Sequence, residues 1–240
     1  MIGRLHRAWQ DPHGRAWLPY LSPADLIAIS VDSYGASSGF GDPEFNLAGF
    51  HPWEEVLVDA MFAPGCTVLV AAAGAGREMI GLARKGYEVT GFDPAPALIE
   101  AGRRNLGAAG IDASLLQSRP GEVSALSGGF DAVLIGSGSY HHIPTRAARI
   151  AFVRSCTERL APNGPLILGS VAQDPSGRAF EPVLKAQGLP EPGDRLLDSF
   201  GHWFIADELV AELAAAGLEE VRCHVTAGRP AYLASARKPG

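Results

Sequence analysis

The chain has 240 residues, 47% of them hydrophobic and 19% charged, and a formal net charge of −6. That length and balance suit one substantial core with a cap and exclude wholesale disorder. The basic residues are scattered singly or in pairs, so no Lys/Arg stripe is present to neutralise a phosphate backbone, and no nucleic-acid partner is expected.

The opening stretch, Met1-Ile2-Gly3-Arg4-Leu5-His6-Arg7, is polar and lacks the apolar core of a signal peptide. Residues 1–50 are rich in Gly, Pro, Ser and aromatics, most densely from Tyr34 to Pro43. Such a segment reads as an irregular cap or lid, assigned here to residues 1–60. From Cys66 onward short β-rich apolar runs alternate with helical stretches, the pattern of a parallel sheet covered by helices. Strands are predicted at 67–72, 88–92, 113–116, 130–135 and 165–170, and helices at 77–85, 95–108 and 146–160. Gly86 is placed to stop the first helix. In the last helix Ala148, Phe152, Cys156 and Leu160 recur at intervals of four, which predicts one apolar stripe facing the sheet.

Residues 172–205 form a second Pro/Gly-rich interruption, taken as a substrate-side insertion. A helix over 206–216 and strands over 220–225 and 231–236 follow, the ending of a hairpin rather than a further βαβ unit. The expected fold is therefore α/β: a three-layer sandwich around a mostly parallel seven-stranded sheet with a C-terminal antiparallel hairpin and an N-terminal cap, the main domain covering 61–240. No apolar run is long enough to span a bilayer. The three cysteines, Cys66, Cys156 and Cys223, form no C-x-x-C pair. A soluble cytoplasmic protein with no membrane partner is expected, as a monomer or a homodimer.

Chemistry concentrates where a buried run, Val68-Leu69-Val70-Ala71, enters the small-residue turn Ala72-Ala73-Gly74-Ala75-Gly76 and a helix opens at Arg77. Small side chains there let a ligand approach the backbone, and glycine tolerates positive φ. Free N–H groups at the helix start favour a carboxylate or phosphate. Seventeen positions after Gly76 stands Asp93, the end of a second strand, from which a carboxylate reaches nucleoside ribose hydroxyls in such sheets. The turn alone also reads as tight helix–sheet packing; with Asp93 it reads as a nucleoside site. A dinucleotide fingerprint fails, because counting from Gly74 its sixth, small position is Met79, and counting from Ala72 it is Arg77.

From Val68 to about Ser170 the chain resembles the class I S-adenosylmethionine-dependent methyltransferases, whose first motif reads acidic-x-G-x-G-x-G. Here that register gives Val70, Ala72, Gly74 and Gly76, with Val70 in place of the usual acid. Phe130-Asp131, Ser139-Tyr140-His141-His142-Ile143-Pro144 and Leu160-Ala161-Pro162-Asn163-Gly164 match later family segments in order. The resemblance implies S-adenosyl-L-methionine as cofactor, S-adenosyl-L-homocysteine as product, and an O or N atom of a small molecule as acceptor. It implies cofactor contacts from Ala72, Ala73, Gly74, Gly76, Asp93 and Pro94. Further contacts are expected from Ser118 and Arg119, which hold no acid near the adenine, from Gly136, and from Tyr34 as a lid.

His141 is the candidate general base, since imidazole titrates in the useful range; a structural role for the His-His pair is the alternative. A metal site from His141, His142 and His51 or His202 is not expected, because neighbours in a strand-like segment point to opposite faces. Tyr34, Phe40, Phe45, Phe50, Trp53, Phe180, Trp203 and Phe204 either line an acceptor pocket or pack the cap. Two other readings remain: a non-catalytic nucleoside binder on a degenerate fold, and a methyltransferase acting on a protein.

Overall fold

The computed structural model describes residues 18–35, 39–123, 126, 129–172, 191, 193–196, 199–225 and 231–240. Phe180 and most of the predicted insertion lie outside the described residues.

Among the described residues before 62 the chain is largely helical where the sequence predicted an irregular segment. Helix α1 (Pro23–Ser33) starts from a capping box in which Ser22 and Asp25 satisfy each other's backbone N–H. Helices α2 (Pro43–Leu47) and α3 (Pro52–Met61) also start on proline, which has no N–H to leave unpaired at that position. The prolines that looked like loop punctuation are thus helix starts.

Behind the cap lie strands β1 (Thr67–Ala71), β2 (Glu88–Asp93), β3 (Ser114–Gln117), β4 (Ala132–Ile135) and β5 (Pro165–Val171). Helices α4 (Arg77–Arg84), α5 (Pro96–Ala108) and α6 (Arg146–Glu158) connect them. A short pair, β6 (Asp194–Leu196) and β7 (Phe200–His202), precedes α7 (Ala206–Ala215), β8 (Glu219–Val225) and β9 (Ala231–Arg237). The main sheet runs β3-β2-β1-β4-β5-β9-β8, with β9 antiparallel to both neighbours. This is the seven-stranded sheet with a C-terminal hairpin expected from the sequence. The β6–β7 hairpin was not expected and is a separate two-stranded sheet.

Alternation along the central strands divides the core into two layers. Leu69 and Ala71 of β1 pack with Phe152, Val153 and Cys156 of α6 and Leu209 and Leu213 of α7. Val68 and Val70 pack on the other face with Val58 of α3, Met79 and Ile80 of α4, and Leu106 of α5. Each large apolar side chain so buried contributes about 2 kcal/mol. Met79 fits because β2 offers Gly91 beneath it, where a Cβ would come within 2.5 Å of the Met79 sulfur.

One expectation about α6 is corrected. Ala148 is exposed and Arg149 is fully buried. The stripe facing inward is Arg149, Phe152, Val153 and Cys156, with the charge paired as described below. Among the described residues no helix is long and apolar enough to cross a membrane.

Candidate functional site

The parallel strands deliver their carboxyl ends to one edge, where a cavity of about 680 Å³ opens beneath the cap. That volume lies within the range of small-molecule sites. Its floor is the turn after β1, in which φ is +53° at Ala72, +53° at Gly74 and +90° at Gly76. Left-handed residues at alternate positions fold the backbone tightly enough for α4 to begin at once.

Asp93, at the end of β2, holds this turn. Its Oδ2 accepts the Gly74 N–H at 2.9 Å and its Oδ1 the Ala95 N–H at 2.8 Å. The residue is 6% exposed, and burial pushes its carboxyl up to about 6 against these two hydrogen bonds, with Glu78 adding to the rise. Each oxygen keeps acceptor capacity beyond its single bond, and Asp93 lines the cavity.

The two histidines lie on a single 3₁₀ turn, Tyr140–His142, after β4. This corrects the strand-like geometry expected for them: the rings do not point apart but lie side by side, 3.9 Å between centroids, and both line the cavity. His142 Nδ1 meets the Phe200 carbonyl and its Nε2 meets the Tyr34 hydroxyl. Since a carbonyl only accepts, Nδ1 carries the proton and Nε2 accepts from Tyr34. Burial lowers His142 to about 4, against the Phe200 bond, so it is neutral as this pattern requires. His141 is held well below the usual imidazole range by burial and by His142 and His202 nearby. Its Nδ1 is buried without a hydrogen-bond partner among the described residues.

Of the residues expected at the cofactor, Tyr34, Ala72, Ala73, Gly74, Asp93, Pro94 and Ser118 line the cavity. Gly76 instead faces Gly102 and Leu106 of α5. Gly136 lies where a Cβ would press to 2.4 Å of the Ala72 carbonyl oxygen, so it lets β4 pass close to the turn. Arg119 is exposed and is not part of the lining. The Ser118 hydroxyl is buried with no partner among the described residues. The aromatics divide: Tyr34, Phe40 and Phe45 line the cavity, whereas Phe50 packs on Gly81 of α4, Trp53 joins the α3 core and Phe204 is fully buried. Trp203 lies under the Arg195 guanidinium, 3.9 Å away.

Two acids on the wall escaped the sequence reading, Glu78 and Glu122. Glu122 follows the segment after β3 where an acid was sought, displaced a few residues along the loop. Glu78 lies in the first turn of α4, two residues beyond Gly76, whereas only a fixed-position acid on β1 had been sought. Among the described residues, Glu191, Asp194 and His202 also bring ligand-type atoms within 4.8 Å of one another. There both nitrogens of His202 are already engaged, by Asp194 at 2.7 Å and Glu208 at 3.1 Å.

Comparison with known proteins places this geometry among relatives. Residues 68–164 match the family model described as a methyltransferase domain. The ubiquinone biosynthesis O-methyltransferase of Xanthomonas oryzae pv. oryzae is 30% identical over 200 residues, 81% of this chain and 77% of that protein. Its counterpart in Xanthomonas axonopodis pv. citri is 28% identical over 211 residues, covering 87% and 85%. Among solved structures, the glycopeptide N-methyltransferase MtfA complexed with S-adenosyl-L-methionine superposes with a TM-score of 0.60 at 25% identity, covering 78% of this chain and 87% of that one. The CcbJ methyltransferase from Streptomyces caelestis gives 0.65 at 16% identity, covering 88% and 99%, a likeness of fold.

Proposed function

The chain belongs to the class I S-adenosylmethionine-dependent methyltransferases, and from that premise we propose that it methylates an oxygen or nitrogen atom of a small molecule with an apolar body. The protein is an enzyme and its cofactor is S-adenosylmethionine. The observation that carries the reading is the buried Asp93 carboxylate, which braces the turn after β1 and lines a cavity shared with two neutral imidazoles.

The residues present fit the cofactor. Asp93 has spare acceptor capacity for the ribose hydroxyls, the turn from Ala72 to Gly74 admits a ligand edge against bare backbone, and the unpartnered Ser118 hydroxyl lies on the same wall. When bound, S-adenosylmethionine supplies a methyl carbon already made electrophilic by its sulfonium. What remains for the protein is alignment, exclusion of water and removal of a proton. Ile27, Val31, Phe40, Phe45 and Phe152 give the cavity apolar walls suited to an acceptor with little charge. His141 is assigned the proton on position alone: it lies on the wall with its Nδ1 unpartnered among the described residues, whereas burial holds its ring well below the range in which the sequence led one to expect it to titrate. His142 is assigned the lid, since it holds the Tyr34 hydroxyl at the end of α1.

In this reading residues 1–60 are the cap and 61–240 the catalytic domain, with 172–205 inserted on the substrate side. Gly76 and Gly136 act on the cofactor indirectly, through the packing of the turn and its surroundings, and Arg119, exposed and outside the lining, is given no role at the site. The working location is the cytoplasm, in keeping with three free cysteines, with neither nucleic acid nor membrane as a partner.

Calorimetric titration with S-adenosylmethionine and S-adenosylhomocysteine tests the cofactor site. Wild type binds both in the micromolar range, and Asp93→Ala weakens both about tenfold or more, the effect of one charge-assisted hydrogen bond. Folded protein that binds neither ligand sinks the assignment. Methyl transfer from labelled cofactor into a pool of small phenols and amines then supports the acceptor class. Label found only in added protein substrates refutes it.

A further inference from the structure

The position on β1 where the family carries an acid is Val70, which is fully buried in the apolar core. A carboxylate nonetheless stands on that side of the cavity. Glu78 is 7% exposed and lines the wall. Its Oε1 accepts the Ser137 N–H at 3.2 Å and an Arg77 Nη2 hydrogen at 2.7 Å.

Arg77 does not belong to Glu78 alone. It forks onto both oxygens of Glu54 at 2.6 and 2.7 Å and reaches the Gly49 carbonyl at 3.1 Å. One guanidinium therefore faces two carboxylates, with Arg77, Glu54 and Glu78 all at most 7% exposed. With both carboxyls ionised, these three side chains by themselves carry one negative charge more than positive. Such an excess is costly away from water unless a cation or a proton completes it. Without that cation burial holds the Glu78 carboxyl above its ordinary range, with Arg77 opposing and Glu54 adding to the rise.

The placement of the two cavity acids supplies the direction. Asp93 ends β2, and Ser137, to which Glu78 is bonded, follows β4; β1 and its turn lie between them. Two strand spacings, about 10 Å, separate these ends. A ligand whose ribose lies at Asp93 and whose chain crosses the turn brings its far end to Glu78. We infer that Glu78 receives the α-ammonium of the cofactor's amino-acid end, taking over from α4 the charge that Val70 removed from β1. The inference rests on the cavity being the S-adenosylmethionine site.

The test compares S-adenosylhomocysteine with 5′-methylthioadenosine, which shares the adenosine and the sulfur but has no amino-acid end. Both are titrated calorimetrically into wild type, Glu78→Gln and Glu78→Asp, with melting temperatures as the check on folding. Glutamine keeps the volume and the acceptor for the Ser137 N–H but removes the charge. Glu78→Gln should bind S-adenosylhomocysteine tenfold or more weakly while holding 5′-methylthioadenosine within twofold, and Glu78→Asp should recover most of the loss. Equal weakening of both ligands assigns Glu78 to bracing Arg77 and overturns the inference, as does unchanged affinity for S-adenosylhomocysteine. If Glu78→Gln fails to fold, Glu78→Asp decides, because a preserved charge must still favour S-adenosylhomocysteine over 5′-methylthioadenosine by at least tenfold. Wild type that binds neither ligand removes the site itself, a separate failure from loss of the Glu78 effect.

Discussion

Ala72 adopts φ +53°, a region that costs an alanine about 1–2 kcal/mol relative to its right-handed conformation. The chain accepts this strain because the turn after β1 needs left-handed residues at alternate positions, and its two glycines occupy only the other two. Replacing Ala72 by glycine removes the penalty but enlarges the freedom of the unfolded chain by part of the same amount. Ala72→Gly is therefore expected to stabilise the protein by roughly 0.5–1 kcal/mol, a rise of about 1–4 °C in melting temperature for a chain of this size. Scanning calorimetry decides; a fall in melting temperature means that the Ala72 methyl contributes packing that outweighs the strain. At this scale the sequence was informative where chemistry depends on neighbours along the chain. The turn, Asp93 and the histidine pair were visible in it because strand, turn and helix lie within thirty residues. The ring geometry of His141 and His142 was not, because a 3₁₀ turn and a strand end look alike over three residues.

Packing of elements is where sequence reasoning lost most. The repeat of four in α6 predicted Ala148 inward, yet the residue that goes inside is Arg149, whose partners are 42 and 63 positions away. Arg149 Nη2 meets Glu191 at 2.8 Å and Glu212 at 2.6 Å, and the Tyr140 hydroxyl donates to Glu212 at 2.7 Å. This network ties α6 to α7 and, through Asp194 and His202, to the β6–β7 hairpin. No local pattern announces a buried arginine whose charge is met by distant acids. The seven strands were readable because buried strands are short apolar runs between turn residues, a local property. Removing one member of a buried pair leaves the other charge uncompensated, at a cost of about 3–5 kcal/mol. Glu212→Ala should lower the melting temperature by roughly 6–20 °C. A shift under about 2 °C shows that water or Glu191 alone can satisfy Arg149, and that the network does little to hold the hairpin.

Across the whole molecule the histidines make opposite demands on pH. Burial keeps His141 and His142 neutral, the latter down to about 4. Below the ordinary imidazole range the unfolded chain therefore takes up protons that the folded chain refuses, and stability falls as pH drops from about 6.5 toward 4. Asp93, raised to about 6, binds its proton more tightly when folded and offsets part of that loss. For His202 burial alone would depress the ring, but the Asp194 and Glu208 carboxylates outweigh it and hold it above its ordinary value. Its stabilisation is complete below about 6.5 and is lost as pH rises through its folded value. Melting temperature should accordingly peak near pH 6.5 and decline on both sides, and His202→Gln should flatten the alkaline limb between pH 6.5 and 8.5. An alkaline limb of unchanged slope in that variant shows that His202 is not the proton-binding group.

The order of strands also bears on how the chain is made. Strand β9 lies between β5 and β8, hydrogen-bonded to both. Synthesis proceeds from the amino end, so β1 to β5 can pair while later residues are still within the ribosome, but β5 then presents an open edge. That edge stays uncovered until residues 231–237 emerge, and β8, made earlier, has no seat in the sheet before them. For that interval the nascent protein displays an unpaired apolar strand of the kind that recruits other chains. Strand β9 thus serves as a closing seal, and a ribosome that stalls before residue 231 leaves β5 exposed in its most aggregation-prone form.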